Sequence, residues 1–376
     1  MRFISLQENL KRGLNIVGHV TSKNINLPIL NNILIKSANG NIEFISTNLE
    51  IGITHQLRGK IEVDGEFTVD SKLITDYVTL LNGRDNVKLE ETDNELKLEC
   101  GNYKTKIKGE SSKEFPLIPT IPKDDYCEVG IDEFRKALNS VIFAVSNSEN
   151  RLELSGVLFS FTNKTLSLAA TDSYRLAERV LEVKNNLKEE YKVIVPAKTA
   201  QEFLRVLNNF DGQLKTINDN EEVVRIYLSD NQILFNVDSV DLISRLINGH
   251  YPDYKQIIPV GHQTEVLVDK VELIRAVKAT SLFSKTGIND IALFFSKDKI
   301  LVSAYSGQSG ESKVELEAEV NGINNEITIN YRYLLDGLNN IEGARVKIDI
   351  VNSNTPCLIK SETDNGYLYI VMPIKQ

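Results

Sequence analysis

The sequence predicts an α+β protein made of three copies of one domain, each with two helices packed on antiparallel sheets. Two observations carry this prediction: a strand-to-helix segment that occurs three times, and strand hairpins between the copies. The segment reads FTVDSKLITDYVTLLN at 67–82, VIVPAKTAQEFLRVLN at 193–208 and ITINYRYLLDGLNNI at 327–341. The aligned residues Lys72, Lys198 and Arg332 are 126 and 134 residues apart, so the repeat has the length of a domain.

The period of the apolar residues changes within each copy. In the first copy Phe67 and Val69 alternate with polar residues, and Ile74, Val78 and Leu81 then follow at helical spacing. This change from period two to an i, i+4, i+7 stripe is typical of a strand that leads into an amphipathic helix. Each copy therefore predicts one strand and one helix with a basic residue in its first turn.

A second helix repeats as LKRGLN at 10–15, FRKALN at 134–139 and LIRAVK at 273–278. Arg12, Lys136 and Arg275 share one column of this alignment, two residues past an apolar column. That offset is about 200° around a helix, so we expect the three side chains to face away from the core. Weaker echoes pair Thr47-Asn48 with Thr171-Asp172, and Phe115-Pro116 with Tyr251-Pro252.

Strand hairpins fill the chain between the helices, for example at 33–47, 87–109, 156–172 and 291–305. Short polar turns separate apolar runs of similar length there, which is typical of hairpins. Each domain thus holds about eight antiparallel strands. The six helices are predicted at 5–20, 70–82, 130–146, 196–210, 267–284 and 329–341. Proline-containing linkers near 116–123 and 252–262 divide the chain into domains at 1–124, 125–262 and 263–376.

The composition is that of a globular protein of 376 residues. The net charge is −9, but the predicted helices together carry +2 and the remainder of the chain −11, so basic charge concentrates in the helices. No apolar run is long enough for a membrane span, and the N-terminus lacks a signal peptide. Three widely spaced cysteines predict reduced thiols in a cytoplasmic protein.

Motifs of catalysis or metal binding are absent from the sequence. The four histidines show no ligand spacing, no phosphate-binding loop or nucleophile elbow occurs, and SGQSGES at 306–312 reads as a plain loop. Abundant carboxylates leave a carbohydrate-active enzyme with an acidic pair open as an alternative. We expect a protein without catalytic residues, metal or cofactor.

Several motifs together resemble one family. They are LPIL at 27–30, TDSYRLA at 171–177, VIVPAK at 193–198, YPDY at 251–254 and YIVMPIKQ at 369–376. With the threefold repeat they closely resemble the bacterial DNA polymerase III β subunit, the sliding clamp, over the whole chain. The resemblance implies three clamp domains per chain and a head-to-tail homodimeric ring, with twelve helices lining the hole and sheets forming the outer wall.

The function that this resemblance implies is non-catalytic. Such a ring encircles duplex DNA without sequence preference and tethers the replicative polymerase, while a separate clamp loader opens it using ATP. Sliding requires contacts to phosphates rather than to bases, which Lys and Arg supply. The candidates for these contacts are Arg12, Lys72, Lys136, Lys198, Arg275 and Arg332.

Two further DNA contacts come from the resemblance alone. Lys23 lies with Asn24 in a loop that often carries Arg in the family, and Arg151 is kept. However, Leu152 and Glu153 replace aromatic residues that contact DNA in some relatives.

The resemblance also implies an apolar pocket that binds short peptide motifs of the polymerase, the clamp loader and repair proteins. Carried over position by position, it consists of Leu154, Thr171, Ser173, Tyr174, Arg175, Leu176, Pro252, Ile257, Tyr333, Met372, Pro373 and Ile374. Gln256 stands where the family often has Arg, and Lys375-Gln376 where Arg-Leu is common. We therefore expect a peptide preference that differs in detail.

The dimer interface should join the first domain of one chain to the third domain of another. Residues 103–108 (YKTKIK) alternate, with the lysines on one face, and an unpaired edge strand of this kind would find a use in pairing with a second chain. The candidate contacts are Tyr103, Ile107, Leu282 and Phe283. A repeat-built protein-binding scaffold that never encircles DNA remains the alternative function.

Overall fold

The structure is a computed structural model that describes residues 1–21, 26–148, 150–210 and 222–375. Two compact units form. The first comprises Met1–Ile131, Lys184–Lys188 and Lys198–Leu246, and the second comprises Asp132–Val183, Glu189–Ala197 and Ile247–Gln376.

The described residues contain six α-helices, as predicted. Their bounds are α1 Gln7–Gly18, α2 Ser71–Thr79, α3 Ile131–Ile142, α4 Ala197–Asn208, α5 Lys270–Ser281 and α6 Tyr331–Asn340. Short 3-10 helices lie at Pro28–Asn31, Ser112–Glu114, Leu152–Leu154 and Tyr254–Ile257. Each α-helix is shorter than its prediction because the preceding strand extends to the residue before the helix, and because the apolar spacing continues past the helix end.

The strands fall into three sets of nine. The first set is β1 Arg2–Leu6, β2 Asn32–Ala38, β3 Asn41–Thr47, β4 Ile51–Leu57, β5 Lys60–Val63, β6 Gly65–Asp70, β7 Asn86–Thr92, β8 Glu95–Cys100 and β9 Tyr103–Glu110. The second is β10 Cys127–Gly130, β11 Gly156–Phe161, β12 Thr165–Thr171, β13 Arg175–Glu182, β14 Lys184–Asn185, β15 Tyr191–Pro196, β16 Val223–Leu228, β17 Gln232–Val237 and β18 Val240–Arg245. The third is β19 Thr264–Asp269, β20 Asp290–Ser296, β21 Lys299–Ser306, β22 Gly310–Glu317, β23 Glu319–Gly322, β24 Asn325–Asn330, β25 Arg345–Ile350, β26 Cys357–Ser361 and β27 Tyr367–Val371.

The order of elements is the same three times: one strand, one helix, five strands, one helix and three strands. The predicted threefold repeat and α+β class are therefore confirmed. Each repeat has nine described strands where about eight were expected. The fifth strand of each repeat, two to four residues long, is too short to give a periodic signal. The domain boundaries after residues 124 and 262 stay predictions.

Sheets join strands from successive repeats within each unit. The first unit holds a 14-stranded sheet in the order β14-β10-β16-β17-β18-β4-β3-β2-β6-β9-β8-β7-β1-β5. The second unit holds a nine-stranded sheet, β15-β11-β12-β13-β27-β26-β25-β19-β23, and a four-stranded sheet, β22-β21-β20-β24. In the first unit β4 pairs with β18, and in the second β13 pairs with β27. The fourth strand of one repeat thus pairs with the ninth strand of the next.

The helices start where the sequence provides caps, and they bury the predicted apolar columns. Asp70 and Asn330, two residues before the basic column, accept hydrogen bonds from Leu73 N at 2.7 Å and Arg332 N at 2.9 Å. The aligned apolar residues of α1, α3 and α5 are at most 1% exposed: Leu10, Leu14, Phe134, Leu138, Leu273 and Val277. Among the described residues, none of the helices is both long enough and apolar enough for a membrane crossing.

Candidate functional site

The turn between β12 and β13 carries the TDSYR motif and has a fixed hydrogen-bond pattern. The Asp172 carboxylate accepts from Tyr174 N at 2.9 Å and from Arg175 N at 3.0 Å. Thr171 Oγ1 donates to the Arg175 carbonyl at 2.6 Å and accepts from Ser173 N at 3.1 Å. Ser173 is held at a φ of 78°, a left-handed conformation that few non-glycine residues adopt. The turn thereby presents Tyr174, which is 62% exposed, to solvent.

The first repeat contains the same turn, so the weak Thr-Asx echo marks a structural equivalence. Asn48 Oδ1 accepts from Glu50 N and Ile51 N, Thr47 Oγ1 donates to the Ile51 carbonyl, and Leu49 has a φ of 75°. The turn geometry is therefore shared by the first and second copies. The side chains that differ, Tyr174 and Arg175, are what distinguish the second copy.

Arg175 links this turn to two helices. Its Nε donates to Asp172 at 3.0 Å, its Nη1 contacts Asp336 of α6, and its Nη2 donates to the Phe143 carbonyl just after α3 at 2.9 Å. The guanidinium also lies 4.7 Å from the centroid of the Tyr333 ring. Charge-assisted bonds and ring contact together make the position of Arg175 rigid.

The C-terminal segment joins the turn through backbone and rings. Met372 N donates to the Tyr174 carbonyl at 2.8 Å, and the Tyr174 and Tyr333 rings stack with centroids 6.4 Å apart. Tyr369 of β27 donates to the Tyr333 carbonyl at 2.8 Å. A Cβ at Gly337 would lie 2.2 Å from the Tyr369 ring, so the glycine in α6 permits this contact.

An apolar layer lies beneath the turn. Leu176, 0% exposed, packs in a cluster with Tyr254 and Ile370, and Tyr251 and Ile258 cover this cluster. The Tyr251 hydroxyl accepts from Thr171 N at 3.0 Å, and burial raises the pKa of this phenol. The side chain is therefore neutral at physiological pH and fixes the position of the segment that carries Pro252.

The predicted pocket residues divide into a surface group and a buried group. Tyr174 and Ile257 are exposed, and Pro252, Tyr333, Met372, Pro373 and Ile374 are half-buried, so these side chains are accessible to a ligand. Leu154 and Leu176 are 1% and 0% exposed and act as core that shapes the surface from beneath. Ile374 N donates to the Thr328 carbonyl at 2.8 Å, which fixes the chain end on β24.

Sequence reasoning missed several supports of this surface. Phe143 and Asp336 hold Arg175, and Tyr251 holds Thr171, yet none was among the predicted site residues. Tyr251 had a signal, since it opens the YPDY motif. Phe143 and Asp336 had none, because their contacts join segments more than 30 residues apart.

The basic residue in the first turn of α2, α4 and α6 is exposed in all three copies. Lys72, Lys198 and Arg332 are accessible on α2, α4 and α6. In the other column, Lys136 is accessible but lies 3.6 Å from Glu342, and Arg275 lies 2.7 Å from Glu272. Such exposed ion pairs are weak and can exchange for phosphate contacts.

Arg12 of α1 aligns with Lys136 and Arg275, but the prediction that its side chain faces outward is wrong. Its guanidinium lies 4.7 Å from the centroid of the Phe210 ring, and its Nε and Nη2 atoms are buried without a hydrogen-bond partner. The aromatic face after α4 draws the side chain inward through a cation–π contact that helical geometry alone does not reveal.

The two contacts taken from the family loops have different outcomes. Arg151 donates to the Ser173 hydroxyl at 2.9 Å and to Glu153 at 3.1 Å, so it lies beside the TDSYR turn. Its role in DNA contact stays a prediction. Lys23 lies outside the described residues.

The candidate dimer-interface residues also divide into accessible and buried side chains. Tyr103 and Leu282 are 59% and 76% exposed, and Phe283 is half-buried, as an interface would require. Ile107 is 4% exposed because its side chain points into the core beneath β9. Only the backbone edge of Ile107, rather than its side chain, is therefore placed for pairing with another chain.

Comparison with known proteins identifies one family along the chain. Models of the DNA polymerase III beta subunit match in order: the N-terminal domain at residues 1–119, the central domain at 128–253 and the C-terminal domain at 255–375. The beta sliding clamp of Staphylococcus aureus is 28% identical over 388 residues, covering 100% of this chain and 99% of the relative.

Solved structures agree. The DNA polymerase sliding clamp of Pseudomonas aeruginosa superposes with a TM-score of 0.92 at 25% identity, and all of both chains is covered. The sliding clamp of Bacillus subtilis gives a TM-score of 0.91 at 26% identity, with 100% of this chain and 99% of that chain covered. A further P. aeruginosa sliding clamp, solved bound to griselimycin, gives a TM-score of 0.92 at 25% identity over 100% of both chains. The three clamp domains that the family resemblance implied are thus present, and the chain belongs to the DNA polymerase III beta subunit family.

Proposed function

We propose that this protein is a DNA sliding clamp, a processivity factor that encircles duplex DNA and tethers the replicative polymerase in the cytoplasm. The observation that carries the proposal is the ordered match of all three family domains across the chain. The clamp has no catalytic role of its own, and a separate loader places it on DNA. Polymerase, loader and repair proteins are its partners through short peptides.

Ring closure follows from the strand-pairing rule of the repeats. In the first and second repeats the fourth strand pairs with the ninth strand of the next repeat: β4 with β18 and β13 with β27. The fourth strand of the third repeat, β22, and the ninth strand of the first, β9, lack such a partner among the described residues. Among the described residues β22 pairs with β21 alone, and Tyr103–Lys108 of β9 with β8 alone. Pairing of β22 with β9 of a second chain, repeated at both ends, makes a closed head-to-tail dimer.

The two existing joins also predict the register of this interface. In both pairings the first residue of the ninth strand faces the residue eight positions after the turn threonine, Thr47 or Thr171. Val240 faces His55, and Tyr367 faces Arg179. Ser306 ends β21 as Thr47 and Thr171 end β3 and β12. In the proposed pairing of β22 with β9 of the second chain, Tyr103 therefore faces Val314, eight positions after Ser306, and Lys106 faces Glu311.

The side chains on these edges include favourable pairs. Lys106 faces Glu311, whereas Lys104 faces Lys313, whose charge is balanced by Glu311 of the same strand at 2.5 Å. Tyr103 opposite Val314 is an aromatic and β-branched pair, which stabilises neighbouring strands. An added Cβ at Gly310 would lie 4.0 Å from the Phe283 ring, so Phe283 adjoins the residue that would face Ile107 of the second chain.

DNA contact is assigned to the helices. Lys72, Lys198 and Arg332 occupy the same position in each repeat and are exposed, although a cation in the first turn of a helix is slightly unfavourable for the helix dipole. A function in phosphate binding accounts for its threefold presence. Contacts of this type are electrostatic and independent of base sequence, as a sliding ring requires.

Peptide capture is assigned to the surface around Tyr174, Tyr333 and Met372. Stacked rings, half-buried apolar side chains and a rigid Arg175 provide an apolar surface with a few polar groups, as short-peptide recognition needs.

A primer-extension assay tests this assignment. With loader, ATP and cognate polymerase on a primed circular template, the protein should lengthen the product made per binding event. Met372→Ala with Pro373→Ala should abolish the gain, while Leu117→Ala, a matched control on the exposed 116–123 linker, should keep it. Equal product lengths with and without wild-type protein would refute the proposed function.

A further inference from the structure

We propose that His262, Glu265 and Asp349 form a binding site for a transition-metal dication of the Zn²⁺ type. One ligand atom from each residue lies within 4.8 Å of those of the other two. Glu265 and Asp349 belong to the third repeat and His262 directly precedes it, and none of the three is among the residues of the peptide and DNA surfaces described above.

The sheet register builds the site. Glu265 of β19 lies directly opposite Asp349 of β25 in the antiparallel ladder, and His262 precedes Glu265 by three residues. Like charges directly opposite each other destabilise a sheet. The Lys347 ammonium balances the charge of Glu265, and a bound dication would balance that of Asp349 as well.

The distances suit coordination better than hydrogen bonding. His262 Nδ1 lies 3.7 Å from Asp349 Oδ1, and His262 Nε2 lies 3.7 Å from Glu265 Oε2. Both separations exceed hydrogen-bond length. Two ligands of one tetrahedral zinc ion, each about 2.0–2.1 Å from the metal, lie about 3.3–3.4 Å apart, so a small side-chain movement brings either pair to coordination distance. One ring nitrogen binds the metal, and the second carboxylate reaches it by side-chain rotation.

Asp349 gives independent support. Its side chain is 10% exposed, and its Oδ1 atom is buried without a hydrogen-bond partner while facing the His262 ring. A buried, unpartnered carboxylate oxygen is costly. Direct coordination would satisfy this oxygen.

The surroundings define how tightly the site binds. Lys347 forms an ion pair with Glu265, which holds the Glu265 side chain beside the site. The ammonium of Lys347 also competes with the metal for the same oxygen. One imidazole and two carboxylates, with water in the remaining position, match the preferences of Zn²⁺, and the carboxylates alone would favour harder ions.

Calorimetric titration of the chelator-treated full chain with ZnCl₂ at neutral pH tests the site. We expect one Zn²⁺ per chain, with affinity at least tenfold weaker in His262→Ala and in Asp349→Asn. His250→Ala, which removes an exposed histidine elsewhere, should leave the affinity unchanged. Lys347→Met should tighten binding several-fold, because it frees Glu265.

A second measurement guards against an effect of misfolding. Co²⁺ bound to the wild type should give visible d–d absorption, which His262→Ala should lose while keeping its far-ultraviolet circular dichroism. Binding that is equally tight in His262→Ala and wild type would place the metal elsewhere and overturn the proposal. A dissociation constant above about 1 mM for the wild type would overturn it as well.

Discussion

The guanidinium of Arg175 lies 4.7 Å from the centroid of the Tyr333 ring and simultaneously contacts Asp172 and Asp336. One side chain thus connects the TDSYR turn to α6. The position of Tyr174 on the proposed peptide-binding surface depends on this connection.

Replacement of Arg175 should therefore affect both stability and binding. The side chain is 12% exposed and Asp172 is 14% exposed, so Arg175→Ala leaves a buried carboxylate unpaired. We expect a loss of about 3–5 kcal/mol in the free energy of unfolding, measured by urea denaturation. Arg175→Lys should recover part of this loss, because it keeps the charge without the planar fork. Wild-type stability in Arg175→Ala would contradict this interpretation.

Reversal of the exposed helix cations should weaken DNA binding in a salt-dependent way. Lys72→Glu, Lys198→Glu and Arg332→Glu together should lower the slope of log affinity against log salt by about 0.9 for each phosphate that the variant no longer neutralises. Arg12 is left out because it stacks on Phe210. Fluorescence anisotropy with duplex DNA measures the slope. Lys164→Glu, in an exposed turn between β11 and β12, is the control. An unchanged slope in the triple variant would show that these residues do not bind the DNA backbone.

The register proposed for the dimer interface can be tested by charge exchange. Lys106→Glu places a carboxylate opposite Glu311 of the second chain, and a like-charge pair costs up to about 1 kcal/mol. With two interfaces per ring, we expect the dimer dissociation constant to rise by up to roughly thirtyfold, measured by analytical ultracentrifugation. Lys106→Glu combined with Glu311→Lys should restore the dimer. If the double variant dissociates as readily as the single one, the proposed register is wrong.

Stability should fall in acid through His55. Burial, with the nearby Arg12, lowers the pKa of His55 from 6.5 to about 4. Because the unfolded chain binds this proton below pH 6.5 and the folded chain only below about 4, stability is present above pH 6.5 and is lost as pH falls to 4. The contribution is about 3 kcal/mol.

His55→Gln should remove this dependence. The difference in unfolding free energy between wild type and variant should shrink between pH 7 and pH 4, measured by urea denaturation at several pH values. A difference that stays constant over this range would mean that His55 is not held neutral in the fold.

Local sequence patterns predicted the elements well. The apolar columns at Leu10, Phe134 and Leu273 gave helices in all three copies, because amphipathic spacing depends only on neighbouring residues. The turn at Thr171-Asp172 and its echo at Thr47-Asn48 share one hydrogen-bond pattern for the same reason.

Long-range contacts were not visible in the sequence. Nothing in the sequence of β4 or β13 indicates that each pairs with a strand of the next repeat. The alternation of apolar and polar residues within a strand shows which face is buried, but it does not identify the neighbouring strand. Stacking of Arg12 on Phe210 and the approach of Asp349 to His262 likewise depend on tertiary packing. The expectation of no metal ligands considered only linear spacing, whereas the site proposed above depends on the register of β19 and β25.

Retention on DNA of different topology tests the central claim most directly. The protein is loaded onto nicked circular DNA by a clamp loader and ATP, and the complex is then passed through a sizing column at high salt. A ring that encircles DNA should stay bound in salt and should be lost once a restriction enzyme linearises the circle. A protein-binding scaffold would dissociate from both forms alike, and that result would contradict the account.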